Sequence, residues 1–498
     1  MSVSFNNIPS DIRVPLFYAE VDNSMANSAT STLRRLIVGQ VNDDATDDDI
    51  GRLVMVSRTS QAIAIAGAGS MLAAMHKLHK DIDVAGEVWC LPLRVATGVS
   101  ATATVTVTGT ATQAGLLNLY VAGKRVRSIV PEQATATATA AALAIAINEA
   151  RDLPVSAVAL AGVVTLTSKF KGELGNDISL SLNRLGRVNG EMTPAGLTVA
   201  VTPMTDGVGT PDMAVALAAL GDEPFEFITQ PWTDASTLDD WRDVMNDSTG
   251  RWSWAKQIYG HVYSAKRGSL GQLAAAGRLR NDPHISIGGM EASIPQPVWE
   301  VAAQFGARTA VFISADPARP TQTGTMPGID PAPSSDRFLI DEAQALLGSG
   351  IATFNYSGSS MRIQRAVTTY QRNAYDQPDN SYMDSEPLHQ SAYVLRFLQN
   401  RITSKYGRHK LANDGTSFGP GQAIVTPLVI RGELIAAYGE LERMGIVENM
   451  ELFKANLIVE RDATNPNRLN VLFPPDLVNQ LRVFALLYQF RLQYSEAA

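Results

Sequence analysis

The chain has 498 residues, of which 45% are hydrophobic, 18% are charged and one is a cysteine; 41 basic side chains face 49 acidic ones, for a net charge of −8. At about 150 residues per domain this length suggests about three domains. The acidic balance excludes a field that would hold a nucleic-acid backbone, the lone Cys90 excludes an intramolecular disulfide framework, and no apolar run approaches the roughly 18 residues of a membrane span.

Residues 1–30 are polar, carry Pro9 and Pro15, and read as an extended N-terminal arm. No basic segment followed by an apolar one opens the chain, so the protein is expected to stay in the cytoplasm until it assembles. Arg34–Val41 reads as a strand, Asn42–Ile50 as an acidic loop with five Asp, Ser60–Leu78 as helical, and Glu87–Val95 as a strand that buries Cys90. From Ala101 to Thr112, Thr takes every even position and Ala, Val or Gly every odd one, which predicts a strand with one polar face. Leu116–Val121, Arg125–Val130, Val163–Ser168 and Leu197–Thr202 read as further strands, and Ala134–Ala150 as a helix.

After Gly207, strands at Phe225–Gln230, Gln257–Ser264 and His284–Gly288 alternate with helices at 237–245, Leu270–Leu279 and Val298–Phe305. Thr237, with Asp240 three residues on, reads as a capping box. Such alternation implies right-handed crossovers and a mostly parallel sheet. Leu388–Lys405 and Ile430–Met444 read as helices, and Leu457–Arg461 and Leu469–Phe473 as strands. In Phe484–Tyr494 the even positions Phe484, Leu486, Tyr488, Phe490, Leu492 and Tyr494 form an apolar face, as in a half-buried strand. A lone strand must join a sheet edge. The hairpin at 455–473 of a neighbouring subunit is the expected edge, Val3, Phe5 and Ile8 would add a strand beside it, and Pro474-Pro475 would let the chain leave its own domain.

The fold class read from this pattern is α/β, α+β overall. An N-terminal arm (1–30) precedes a mostly parallel α/β domain in two parts (31–97 and 205–370), with a separable β-rich module (98–204) inserted between them. A C-terminal α+β domain (371–481) and a terminal arm strand (482–498) follow.

Chemistry is sparse. Gly67-Ala68-Gly69-Ser70 resembles a phosphate-binding loop but lacks the third glycine and a Gly-Lys-Ser/Thr ending. His76 and His79 are read as a solvated helix face, since a zinc site needs more ligands than these two. No catalytic, cofactor-binding or metal-ligating residues are assigned. Arg362, Arg365, Tyr370, Arg372, Tyr375 and Tyr382 form a dense Arg/Tyr cluster, the residue types that anchor protein interfaces. Arg365 and Tyr370 are assigned to a subunit contact or its brace. The alternative from a different class is a phosphate-handling α/β enzyme using the Gly67 loop and the Arg362–Arg372 cluster.

The run RAVTTYQRNAYDQPDNSYMDSEPLH (Arg365–His389) resembles the most distinctive block of the sheath proteins of contractile phage tails. IPSDIRVPLFYAEVDNS (Ile8–Ser24) is similar to the N-terminus of those of phage Mu and its relatives, and blocks at 320–338, 346–356, 410–427 and 467–483 fit in the same order. The resemblance implies a structural, non-enzymatic subunit that polymerises with itself in a helix, as stacked rings, around a tail tube protein. The sleeve contracts to drive the tube through the host envelope. Baseplate and tail terminator proteins would be further partners, with no nucleic acid bound and no membrane insertion. The site would be the virion tail sheath, and before that the host cytoplasm. The resemblance carries no role for the β-rich module.

Overall fold

The computed structural model describes residues 33–419 and 421–492, so Val3, Phe5, Ile8 and Tyr494 lie outside the described residues. Six consecutive buried residues form β1 (Arg35–Gln40), and β2 (Val54–Met55) follows the acidic loop. The helical stretch over 60–78 is two helices, α1 (Thr59–Ala66) and α2 (Met71–Ile82). Gly67 and Gly69 adopt φ of +89° and +79°, a left-handed backbone that ends a right-handed helix. Ser70 then caps α2 by accepting from the Ala73 N–H at 3.2 Å. β3 (Val88–Leu93) completes the unit, and burial pushes its Cys90 thiol well above the ordinary range.

The inserted region holds β4 (Ser100–Gly109), β5 (Gly115–Val121), β6 (Lys124–Val130), α3 (Ala136–Glu149), β7 (Val155–Leu160), β8 (Val163–Lys171), β9 (Leu180–Leu182) and β10 (Leu197–Val201). Along β4 the residues Ala101, Ala103, Val105 and Val107 are buried while Thr102, Thr104 and Thr106 between them are partly exposed. That is the period-two pattern of a sheet with one wet face. Two antiparallel sheets result, β10-β4-β8-β7 and β6-β5-β9.

The chain then forms α4 (Met213–Leu220), β11 (Phe227–Thr229), α5 (Ala235–Met245), β12 (His261–Arg267), α6 (Leu270–Arg278), β13 (Ile285–Met290), α7 (Val298–Ala315), β14 (Thr325–Met326), α8 (Ile340–Leu347), β15 (Thr353–Ser357) and β16 (Ser360–Arg365). The main sheet runs β13-β12-β11-β1-β3-β2 and is parallel except at the edge strand β2. Strands from both sides of 98–204 therefore share one sheet. Gly39 permits α2 to lie on β1: a Cβ there would meet Leu72 at 3.0 Å.

Two local expectations are corrected. The cap of α5 is Asp234, whose carboxylate accepts from the Thr237 N–H at 2.9 Å, while Thr237 itself is buried inside the helix. β12 begins at His261 because Gln257, Tyr259 and Gly260 have φ of +53°, +54° and +124°, which extended pairing does not accept.

The inserted region is fastened to the body. Val99 and Val208 bridge at its two ends, which brings them together. Beyond the ends, Phe170 packs edge-on against Trp299 with ring centres 5.8 Å apart. Asp177 pairs with Arg267 at 2.6 Å and also accepts the Val298 N–H at the start of α7. Lys169 donates to the Ala68 carbonyl at 3.0 Å. One continuous hydrophobic core runs through both parts.

α9 (Ser385–Tyr406), β17 (Lys410–Leu411), β18 (Ile424–Val425), α10 (Pro427–Arg443), α11 (Met450–Asn456), β19 (Ile458–Arg461) and β20 (Leu469–Leu472) complete the chain. They enclose a second core in which Tyr438 stacks on Phe453 with ring centres 3.7 Å apart.

Candidate interaction sites on the arm, the hairpin and the Arg365 block

His76 and His79 are both fully buried, not solvated. His76 Nε2 lies 3.0 Å from the Val56 carbonyl, and desolvation by burial lowers both imidazoles below their ordinary range. Nearby Asp83 meets Arg35 at 2.6 Å. Burial pushes the Asp83 carboxyl up, but His79 and Arg35 outweigh it and hold it at about 2. The pair is core structure, and among the described residues no group of three or more His, Cys, Asp or Glu is placed to hold a metal.

The glycine loop that resembled a phosphate site is filled. A Cβ on Gly69 would collide with the Leu153 carbonyl oxygen of the inserted region, and Lys169 already spends its ammonium on the Ala68 and Arg151 carbonyls.

The Arg/Tyr block is tied to its own chain. Arg365 grips Asp384, the residue preceding α9, through two parallel hydrogen bonds of 2.8 Å. This bidentate geometry is the strong form of the pair. Tyr370 donates to Asp379 at 2.7 Å and meets Tyr382 edge-on. Between them, the Thr369 N–H bonds to the Ile285 carbonyl at the start of β13, and Gln371 donates to the Gly277 and Arg280 carbonyls. The Thr-Thr-Tyr-Gln run thus stitches the segment before α9 to the end of the main sheet. Arg372 pairs with Asp376 at 2.9 Å, while Tyr375 points into solvent, 85% exposed.

Sequence patterns gave no sign of a buried polar junction between the main sheet and α9. Glu226, just before β11, sits between His389 Nδ1 at 2.5 Å and the Arg396 guanidinium, and Tyr263 meets His389 Nε2 at 2.8 Å. Burial pushes the Glu226 carboxyl up; the charge of Arg396 and the hydrogen bond from His389 outweigh it and hold the group at about 2. An isolated Glu, Tyr, His and Arg spread over 171 positions (226–396) leave no spacing to read.

β19 and β20 pair antiparallel from Ile458 with Leu472 to Arg461 with Leu469, as a sheet of two strands. Its turn is held by Asp462, which accepts from the Thr464 and Asn465 N–H groups. The chain does not leave its domain at Pro474-Pro475. Leu477 bridges Val447, and the Glu448 N–H bonds to Asp476 while the Val478 N–H bonds to Ile446. The prolines end only the β19–β20 ladder; strand-like pairing resumes beyond them. Departure comes after Arg482. From Phe484 to Leu492 no strand forms, and Phe484, Leu486, Tyr488, Phe490 and Leu492 are 69–91% exposed.

The chain is similar to known proteins in sequence and in fold. Residues 206–369 fit the family model of the phage tail sheath protein central domain, and residues 377–491 that of the phage tail sheath C-terminal domain. The chain belongs to the phage tail sheath family and is a structural subunit of a contractile tail. It is 42% identical over 493 residues to the Mu-like prophage FluMu tail sheath protein of Haemophilus influenzae, covering 98% of this chain and 100% of that one. Among solved structures, the sheath tail protein of Desulfitobacterium hafniense shares the fold with a TM-score of 0.50 at 12% identity, over 94% of this chain and 97% of that one. The contracted helical sheath of the anti-feeding prophage aligns with a TM-score of 0.47 at 11% identity, over 97% of this chain and 100% of that one.

Proposed function

We propose that Phe484–Tyr494 is an intermolecular strand that joins the β19–β20 hairpin of the next subunit, with Val3, Phe5 and Ile8 adding a strand beside it. The observation that carries this reading is the arm itself: large apolar side chains stand in water, and the same chain carries a two-stranded sheet. The hairpin is braced by α10 and the second core, and among the described residues no third strand pairs with either of its edges, so an edge is open to a strand from a neighbour. Burying one such side chain contributes about 1.5–3 kcal/mol, which gives the arm a drive to find a neighbour.

Repeated along a polymer, these links make a helical sleeve around a tail tube protein. The subunits stay tethered while their bodies rotate, and the sleeve shortens without nucleotide hydrolysis to push the tube through the host envelope. Assembly takes place in the host cytoplasm, with baseplate and terminator proteins at the two ends. No reaction is assigned to the chain. The phosphate-enzyme alternative has little support, because its loop is occupied by Lys169 and the Leu153 carbonyl.

Deleting residues 484–498 tests the tether. The expected product is a folded monomer, with unchanged circular dichroism, that forms no tubes under negative-stain microscopy. Normal tubes from the deletion would place the assembly contacts on the body instead.

A further inference from the structure

The arm needs a fixed point on its own subunit if it is to transmit load. The chain before it is moored at nearly every step. Leu477 and Val478 pair with 446–448, Gln480 donates to the Ala318 carbonyl at 3.3 Å, and Gln322 donates to the Leu481 carbonyl at 3.0 Å. The last mooring is Arg482. Its side chain is 13% exposed, and its Nη2 lies 3.0 Å from Glu386 Oε2 and 3.5 Å from Asp384 Oδ1. One residue further on, Val483 is 79% exposed.

Glu386 is a built receiver for that charge. It is fully buried in the first turn of α9, and its other oxygen accepts both the N–H and the hydroxyl of Thr321, at 2.9 and 2.7 Å. Asp384 next to it is held by Arg365. The cluster therefore joins four parts of the chain: β16, the loop after α7, the start of α9 and the base of the arm.

The contacts differ in kind. Arg365 spends two aligned hydrogen bonds on Asp384. Arg482 is paired by proximity alone, and among the described residues its Nε, Nη1 and Nη2 make no hydrogen bond, nor does Glu386 Oε2. Coulomb attraction depends on distance and little on angle, whereas a bidentate hydrogen bond fixes both. Arg365 is built to lock and Arg482 to hold while turning.

We propose that Arg482 is the pivot of the C-terminal arm: its charge, held by Glu386 and Asp384, pins the root of the arm to the body and leaves its direction free. This rests on the reading of the arm as an intermolecular tether. In that setting Arg482 is a positioning residue, and pull on the arm passes through Glu386 and Thr321 into the central body.

The test uses the full chain with Arg482→Gln and Arg482→Lys, followed by amide hydrogen exchange on the unassembled protein. Arg482→Gln should cut protection at Val478 and Glu448, whose N–H groups bond to the Ile446 and Asp476 carbonyls, by about tenfold, while amides in β1 and β12 keep theirs. Arg482→Lys keeps a charge at the same place and should restore most of the protection. In assembly, Arg482→Gln should give tubes of irregular width or none. Unchanged protection at Val478 and Glu448 in Arg482→Gln would overturn the pivot, whatever the 484–498 deletion does. Tubes from that deletion would instead overturn the tether.

Discussion

Glu226→Gln is the sharpest probe of how the central body and the C-terminal domain are joined. The carboxylate is buried, and from just before β11 it bridges His389 and Arg396 on α9. Its drop from an ordinary 4.5 to about 2 corresponds to about 3 kcal/mol of stabilisation of the charged form. The sign follows from the direction. A carboxyl depressed by folding contributes stability that is fully present above its unfolded value of about 4.5 and is lost as pH falls towards about 2. Glutamine keeps the shape and removes the charge, leaving the Arg396 guanidinium and His389 without an anion. Breaking a buried pair in this way costs about 3–5 kcal/mol at neutral pH. For a cooperative unit of about 250 residues, with an unfolding entropy of about 2.1 cal/mol/K per residue, that is a fall of about 6–10 °C in melting temperature. The assay is thermal unfolding of wild type and variant at pH 7 and pH 3. The gap should narrow in acid, because the wild type then loses what the variant never had. An equal gap at both pH values would refute the argument.

Arg365→Ala frees Asp384 at the head of α9. It should raise the concentration needed for assembly more than its loss of monomer stability, about 1–3 kcal/mol, accounts for; equal losses by sedimentation and by melting would mean a purely internal role. Excising 98–204 and joining the bridged ends with a short Gly/Ser linker should leave a folded body of lowered melting temperature, because Arg267 loses Asp177 and Trp299 loses Phe170. Adding Arg267→Gln should lower the melting temperature further, because Arg267 also donates to the Ala292, Ile294 and Gln296 carbonyls of the body; no further fall would show that Asp177 is the partner that matters.

What was legible in the sequence was the periodic part. The Thr alternation of β4, the strand–helix alternation of the main sheet and the helix at 385–406 follow from patterns of two and 3.6. α4 (MAVALAAL) is not legible in this way, because it is apolar on every side and shows no face. β7 (VSAVAL) carries the same period-two alternation as β4. The true starts of α5 and β12 depend on Asp234 and on positive φ at Gln257 and Tyr259, which residue type alone does not announce. His76 and His79 looked solvated because their spacing fits an outer face, yet α2 is covered by α1 on one side and α7 on another, and only the assembled fold reveals that.

The Arg365–His389 block shows that residue type does not by itself announce which partner a side chain takes. Its Arg and Tyr are of the type that anchors interfaces, and in this fold their partners are Asp384 and Asp379 of the same chain. The arm, by contrast, presents Phe484, Leu486, Leu487, Tyr488, Phe490 and Leu492 to water. The two sets sit on opposite sides of Arg482. Directional, charge-assisted bonds hold the body in one geometry, while the tail carries side chains whose attraction is non-directional. Under the proposed tether, a subunit that keeps its shape while its neighbours change position needs this division: specificity of form inside, tolerance of angle at the link.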